Sequence, residues 1–210
     1  MNKTSVDTKR LRILIGLAGI LLPWLVVLIT RSWPESISIT YYSLYAVGIF
    51  MIILGAASVL LICYKGYDRG DDITATIAGV FGLLICLFPT KYPDAPELTA
   101  GIFQWPSTVN VVFHCIGAFG FFGAIAYMSI FRFTKTDGAL TTNKKIRNCI
   151  YRVCGVGMLA SFLLMLLKYT SFAPANLVWI VEMISLTFFG ISWLVKSGAV
   201  PLLHDKKDNK

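Results

Sequence analysis

A carboxyl, Glu182, and an imidazole, His114, each interrupt a long uncharged apolar run, and together they can do acid and base chemistry. Counting from Asn176 and from Thr108 at about 1.5 Å per helical residue, both lie about 9 Å inside their runs, at matching depth. Asn110 falls one turn above His114 on the same helix face, Lys168 closes the preceding run, and Tyr41, Tyr42, Ser43 and Tyr45 open the second run at the same end. A carboxyl facing lipid costs several kcal/mol, so Glu182 is expected to turn inward and find a partner. His114 is the first candidate, and Lys168 or a tyrosine hydroxyl the second. Such a group can line a pocket for a lipid headgroup or small amphiphile, relay a proton, or simply link helices at about 1 kcal/mol. No residue is assigned as catalytic. No metal ligand set is assigned either, because a catalytic zinc wants three protein ligands at one point and the chain has neither Cys-x-x-Cys nor His-x-x-x-His.

Six apolar segments must position these groups, at approximately 11–30, 41–63, 73–90, 108–131, 149–168 and 176–195. A helix crosses about 30 Å of hydrocarbon in roughly 20 residues, and all six fit within normal tilt. The expected fold is all-α: an integral membrane six-helix bundle forming a single transmembrane domain over 1–210, with a charged, disordered tail at 198–210. Hydrophobic residues make up 56% and charged residues 14%, which leaves too little polar surface to cover a soluble globule. The runs are continuous and lack the two-residue alternation of barrel strands. The first run, with Pro23 inside it, reads as a retained signal anchor, since no small-x-small cleavage site follows it.

The net charge of +8 follows the topology. Of 19 Lys and Arg residues, only Arg31, Lys91 and Lys168 fall on one side of the six runs. The positive-inside rule therefore sets both termini in the cytoplasm and the Glu182 group near the outer face. Arg132, Lys144, Lys145, Arg147 and Arg152 are expected to touch anionic lipid. The loops are too short for a nucleic-acid platform, so the expected partners are membrane lipids and a small-molecule ligand, with no nucleic acid and no cofactor. The setting expected is a bacterial inner membrane. Cys63, Cys86, Cys115, Cys149 and Cys154 all avoid the outer loops, so no disulfide framework is expected.

Small residues indicate where helices approach one another. Ala75, Ala78, Gly79 and Gly82 mark the third run, while Gly117, Ala118, Gly120, Gly123, Ala124 and Ala126 make the fourth the expected centre of the bundle. Asp71 or Asp72 is expected to cap the third helix. The proline- and aromatic-rich stretch from Lys91 to Ser107 is expected to be a lid over the bundle mouth or an interfacial anchor.

Ser38-Ile-Thr-Tyr41-Tyr42, Gly66-Tyr-Asp-Arg69, Phe88-Pro-Thr90, His114, and Glu182 followed by Phe-Phe-Gly190-Ile-Ser-Trp193 resemble the bacterial membrane proteins of domain-of-unknown-function family 998. That family is distantly similar to the damage-regulated autophagy modulator group. The resemblance implies a six-helix fold with cytoplasmic termini and no established activity. A second resemblance, to intramembrane metal-dependent hydrolases related to alkaline ceramidase and the progestin and adipoQ receptors, rests on Ser43, Asp72 and His114. It fails on span number, on the missing histidine pair and on Asp72, which sits at the opposite membrane face from Ser43. The expected function is binding, or moving, a lipid or small molecule in a polar pocket near the outer face. The alternatives are an intramembrane hydrolase using His114 and Glu182, and a structural subunit of a membrane complex.

Overall fold

The computed structural model describes residues 7–136, 138, 140–170 and 173–203, with the backbone alone described at 166 and 169. Six long helices account for most of it: α1 (Thr8–Thr30), α2 (Val47–Cys63), α3 (Arg69–Leu87), α4 (Ser107–Tyr127), α5 (Thr142–Leu164) and α6 (Leu177–Ser197). The fold is all-α apart from a two-stranded hairpin, β1 (Thr99–Ala100) and β2 (Trp105–Pro106). Helices α1, α3 and α6, and α4 with its π-helical extension to Arg132, are long and apolar enough to cross a membrane; α2 is apolar but shorter. The basic first turns of α5 set it apart from these. Of the tail expected at 198–210, residues 204–210 lie outside the described residues, while Pro201–Leu203 forms a 3-10 turn.

The helices form a ring in chain order. Each packs against the next, and α6 returns to α1, so antiparallel neighbours follow from short connections. Close approach rests on missing side chains. A Cβ on Gly190 would lie 2.5 Å from the Gly16 carbonyl oxygen, and one on Gly79 would lie 2.4 Å from that of Ser58, so α1 meets α6 and α2 meets α3 backbone to backbone. Ala75 and Ala78 are fully buried beside the second contact, as the small-residue pattern of the third run predicts. Among the four long apolar helices α6 rather than α4 is the most buried: 50% of its most apolar stretch is buried, against 39% for α4. The glycines of α4 are spent differently, Gly117 and Gly120 receiving Ile85 and Phe81 of α3 and Gly123 facing open space.

Three connections depart from the sequence expectations. The second helix begins at Val47, because Ser38–Tyr42 forms a separate 3-10 turn before it. The fifth ends at Leu164 and tightens into a 3-10 turn at Met165–Tyr169. The cap of α3 is Asp68, which accepts from the Gly70 and Asp71 amides, rather than Asp71 or Asp72. Those two acids reach back over the α2–α3 turn, where Asp72 accepts from the Gly66 amide at 2.8 Å and Asp71 from the Tyr67 amide at 2.9 Å.

Candidate functional site

Helix α1 ends at Arg31 in the left-handed conformation, which turns the chain back across the first turn of α6. There the Glu35 carbonyl accepts from the Trp179 amide at 2.9 Å, satisfying one of the free donors of that turn. Trp24, Trp33 and Trp179 pack edge to face around the crossing. Held in this way, Ser36, Ile37 and Ser38 lie directly over Glu182.

Three donors converge on that carboxyl. Ser36 Oγ lies 3.0 and 2.9 Å from its two oxygens, the Ile37 amide 2.5 Å from Oε2, and Ser38 Oγ 2.9 Å from Oε1. Glu182 thus acts as a cap, from another helix, on the 3-10 turn that starts at Ser38. His114 reaches it only through Ser38. Its Nε2 lies 3.1 Å from Ser38 Oγ and its Nδ1 lies 2.9 Å from the Phe88 carbonyl oxygen.

Counting hydrogens limits the protonation states of this chain. The Phe88 carbonyl can only accept, so Nδ1 carries a hydrogen. Ser38 has one hydrogen and two neighbours that want it. If Ser38 donates to an ionised Glu182, then Nε2 must donate to Ser38 and His114 is an imidazolium. If His114 is neutral, Ser38 donates to Nε2 and a protonated Glu182 donates to Ser38. An ionised Glu182 beside a neutral His114 leaves one contact unmade, so at least one proton must sit between them, and with one proton the contacts are all made in either form. The net charge of the group is then zero in either form, which suits a buried position.

Two cavities meet at this group. One, of about 60 Å³, lies in the middle of the ring and is lined by every helix, with Leu22, Leu54, Ile85, His114, Phe162 and Glu182 representing α1 to α6 in order. The other, of about 280 Å³, opens at the end of the bundle between Glu35, Ser36, Thr90, Lys91 and Lys168. Ser38, His114 and Glu182 line the first and Ser36 lines the second, so the Ser36–Ser38 segment runs between them. An apolar cavity of about 150 Å³ holds one benzene and small-molecule sites start near 300 Å³. The central space therefore takes waters or the end of a chain, and the outer one takes a headgroup-sized molecule.

The other residues singled out in the sequence fall around this core. Lys168 lines the larger cavity. Asn110 donates to the Ala100 and Trp105 carbonyls at 3.1 and 2.9 Å, so it fastens the hairpin to α4. Phe103 and Trp105 stack with Phe88 and Phe113, and the hairpin strands line neither cavity. Tyr42 donates to the Thr90 carbonyl at 2.7 Å, Tyr41 packs on the core, and Tyr45 is exposed. Ser36 and Ser38 carry the site, yet the sequence marks Ser38 only as part of the Ser38–Tyr42 motif and Ser36 not at all. Serine is frequent in loops, and nothing local marks these two as partners of an acid 144 residues away. Among the described residues, no group of three His, Cys, Asp or Glu side chains is placed to hold a metal ion.

At the opposite end the acids meet cations. Asp71, fully buried, accepts from Arg132 Nε at 2.7 Å, and Asp68 pairs with Arg132 and, at 2.7 Å, with Lys135. The Lys135 ammonium above all, together with the Gly70 and Asp71 amides and Arg132, holds the Asp68 carboxyl down to about 2. Arg132, expected at anionic lipid, pairs with acids within the fold.

Comparison of the chain with protein-family models, with curated proteins and with solved structures finds no match.

Proposed function

We propose that this chain is a six-span integral membrane protein with both termini in the cytoplasm, which binds a headgroup-sized small molecule at its outer end. On the motifs quoted above it would be one of the family 998 proteins, themselves distantly similar to the damage-regulated autophagy modulator group. The orientation rests on the one-sided distribution of Lys and Arg, and the setting proposed, a bacterial inner membrane, on the short loops and the lack of a sequon in the segments read as outer. The single observation that carries the reading is the outer cavity lined by Glu35, Lys91, Lys168 and Ser36, whose hydroxyl donates to Glu182 of the Glu182–Ser38–His114 chain behind it. Glu35, Lys91 and Lys168 offer both signs of charge to the ligand, which suits a zwitterionic lipid headgroup or a free molecule of that size. Ser36, which lines the cavity, donates to Glu182 and so ties the ligand site to the group behind it.

The test is a structure in lipid nanodiscs together with mass spectrometry of co-purifying small molecules. Non-protein density between Ser36 and Lys168 is expected, with its loss in Lys168→Gln and Glu182→Gln. Unchanged retention in both variants would sink the proposal.

A second reading has one observation in its favour. Ser38 Oγ at 3.1 Å from His114 Nε2, with Nδ1 oriented by a carbonyl, is the arrangement of a base and a serine nucleophile. An intramembrane hydrolase of this kind would label at Ser38 with a fluorophosphonate probe and lose labelling in His114→Ala. Absence of labelling in the folded wild type removes it.

A further inference from the structure

We propose that the central cavity binds a sodium ion between Glu182, Ser38 and Ser185. The ion sits apart from any ligand of the outer cavity, because Ser185 lines the central one alone.

Ser185 Oγ is fully buried and has no hydrogen-bond partner among the described residues. Other hydroxyls inside these helices behave differently: Ser58, Ser161 and Thr187 each donate to the carbonyl four residues back, at 2.7, 2.8 and 2.7 Å. Ser185 makes no such bond, so its oxygen stays unspent at the cavity. Glu182 precedes it by three residues on α6, which puts both on one face of the helix. Ser38 and His114 complete the polar lining, and the other lining side chains among the described residues are apolar.

Counting hydrogens gives the charge of the occupant. With Glu182 ionised and His114 neutral, Ser38 donates to Nε2, and its oxygen then faces Glu182 Oε1 at 2.9 Å with no hydrogen between them. A cation beside the two oxygens repairs that contact as a proton does. Sodium binds oxygen at about 2.4 Å, like the equally sized calcium ion, so two oxygens 2.9 Å apart fit one edge of its shell. Ser185 Oγ supplies a further donor oxygen, and the space of about 60 Å³ holds the ion with about one or two waters. His114 and Glu182 are the ionisable side chains on this wall among the described residues, so one sodium ion brings the group to zero net charge. A divalent ion would leave an uncompensated charge in an apolar cavity, and potassium needs a wider shell than so small a space gives.

Purified full-length protein in neutral detergent is titrated with sodium chloride against choline chloride at constant ionic strength, following melting temperature, with potassium chloride in a parallel series. Sodium is expected to raise the melting temperature saturably, and potassium to do so only at concentrations at least about tenfold higher. Ser185→Ala is the deciding variant, because it removes one donor oxygen and leaves the Ser36, Ile37 and Ser38 contacts of Glu182 in place. Its half-saturating sodium concentration is expected to rise at least about fivefold, with its melting temperature in choline alone as the control for folding. Lys168→Gln, in the wall of the outer cavity, is expected to keep the wild-type sodium response, so the two cavities are tested separately. A loss in Lys168→Gln would move the ion to the outer cavity and overturn the proposal. So would no rise with sodium over choline, an equal response to potassium, or the same half-saturation in Ser185→Ala and wild type.

Discussion

The two ends of the bundle solve the problem of a buried acid in different ways. At one end Glu182 is satisfied by two serine hydroxyls and a backbone amide. At the other, Asp71 is satisfied by a guanidinium and an amide. Where cations are plentiful, the acid is held by opposite charge. Where they are few, the chain bends an irregular segment over the carboxyl and uses dipoles instead. A neutral shell leaves the proton on Glu182 free to move to a base, and His114 lies one hydroxyl away. An arginine partner, always charged, has no proton to exchange with Asp71. The first arrangement is fit for chemistry or ligand sensing, and the second for bracing.

Breaking the charged brace is expected to have the largest effect. Asp71→Ala leaves Arg132 half paired in a mostly buried position and should cost about 3–5 kcal/mol, read as a fall in resistance to unfolding in detergent. Asp71→Asn should recover only part of this, since the tie to the Tyr67 amide survives and the charge pair does not.

The neutral shell should be less sensitive and should discriminate by shape. Glu182→Leu strands the Ile37 amide and two hydroxyls, and should cost about 2–3 kcal/mol. Glu182→Gln keeps an acceptor and should cost about 1 kcal/mol. Equal losses in the two variants would mean that the shell is not what holds Glu182. Next in size, Ser38→Ala should cost about 1 kcal/mol while cutting Glu182 from His114, so the pH response of His114 in imidazole NMR should become independent of Glu182→Gln.

The smallest effect is a pH dependence confined to the charged end. The Asp68 carboxyl is held at about 2 by Lys135, the amides and Arg132, below its ordinary value near 4. Its contribution to stability is therefore complete above about pH 4 and is lost as the pH falls towards about 2. Asp68→Asn should flatten the acid limb of the stability profile. High salt should weaken the same contact, because Asp68 and Lys135 are both 43% exposed.

Apolar runs and small-residue spacing carried much of this fold openly. Helix existence follows from continuous apolar length, and Gly79 is legible because only a residue without a side chain admits the Ser58 carbonyl so closely. The site was legible in half. Glu182 and His114 stand out as ionisable groups in apolar sequence, and their matching depth is arithmetic on helix rise. Ser36 and Ser38 were illegible because a hydroxyl becomes a ligand only when the chain around it is placed. The Asp68 cap was obscured by two acids just beyond it, and the deeper burial of α6 by the glycines of α4.

From its amino acids alone, then, this protein has apolar helices, a one-sided charge distribution and an acid and an imidazole at one level, since these depend on composition and helical rise. Tertiary structure alone decided which groups touch. It bent residues 31–38 across α6, put Ser38 between Glu182 and His114, and gathered Arg12, Lys144, Arg147 and Lys196 around one cleft. Hydrogen bonds and charge clusters form between residues distant in sequence, and their partners are set by how the helices close into a ring.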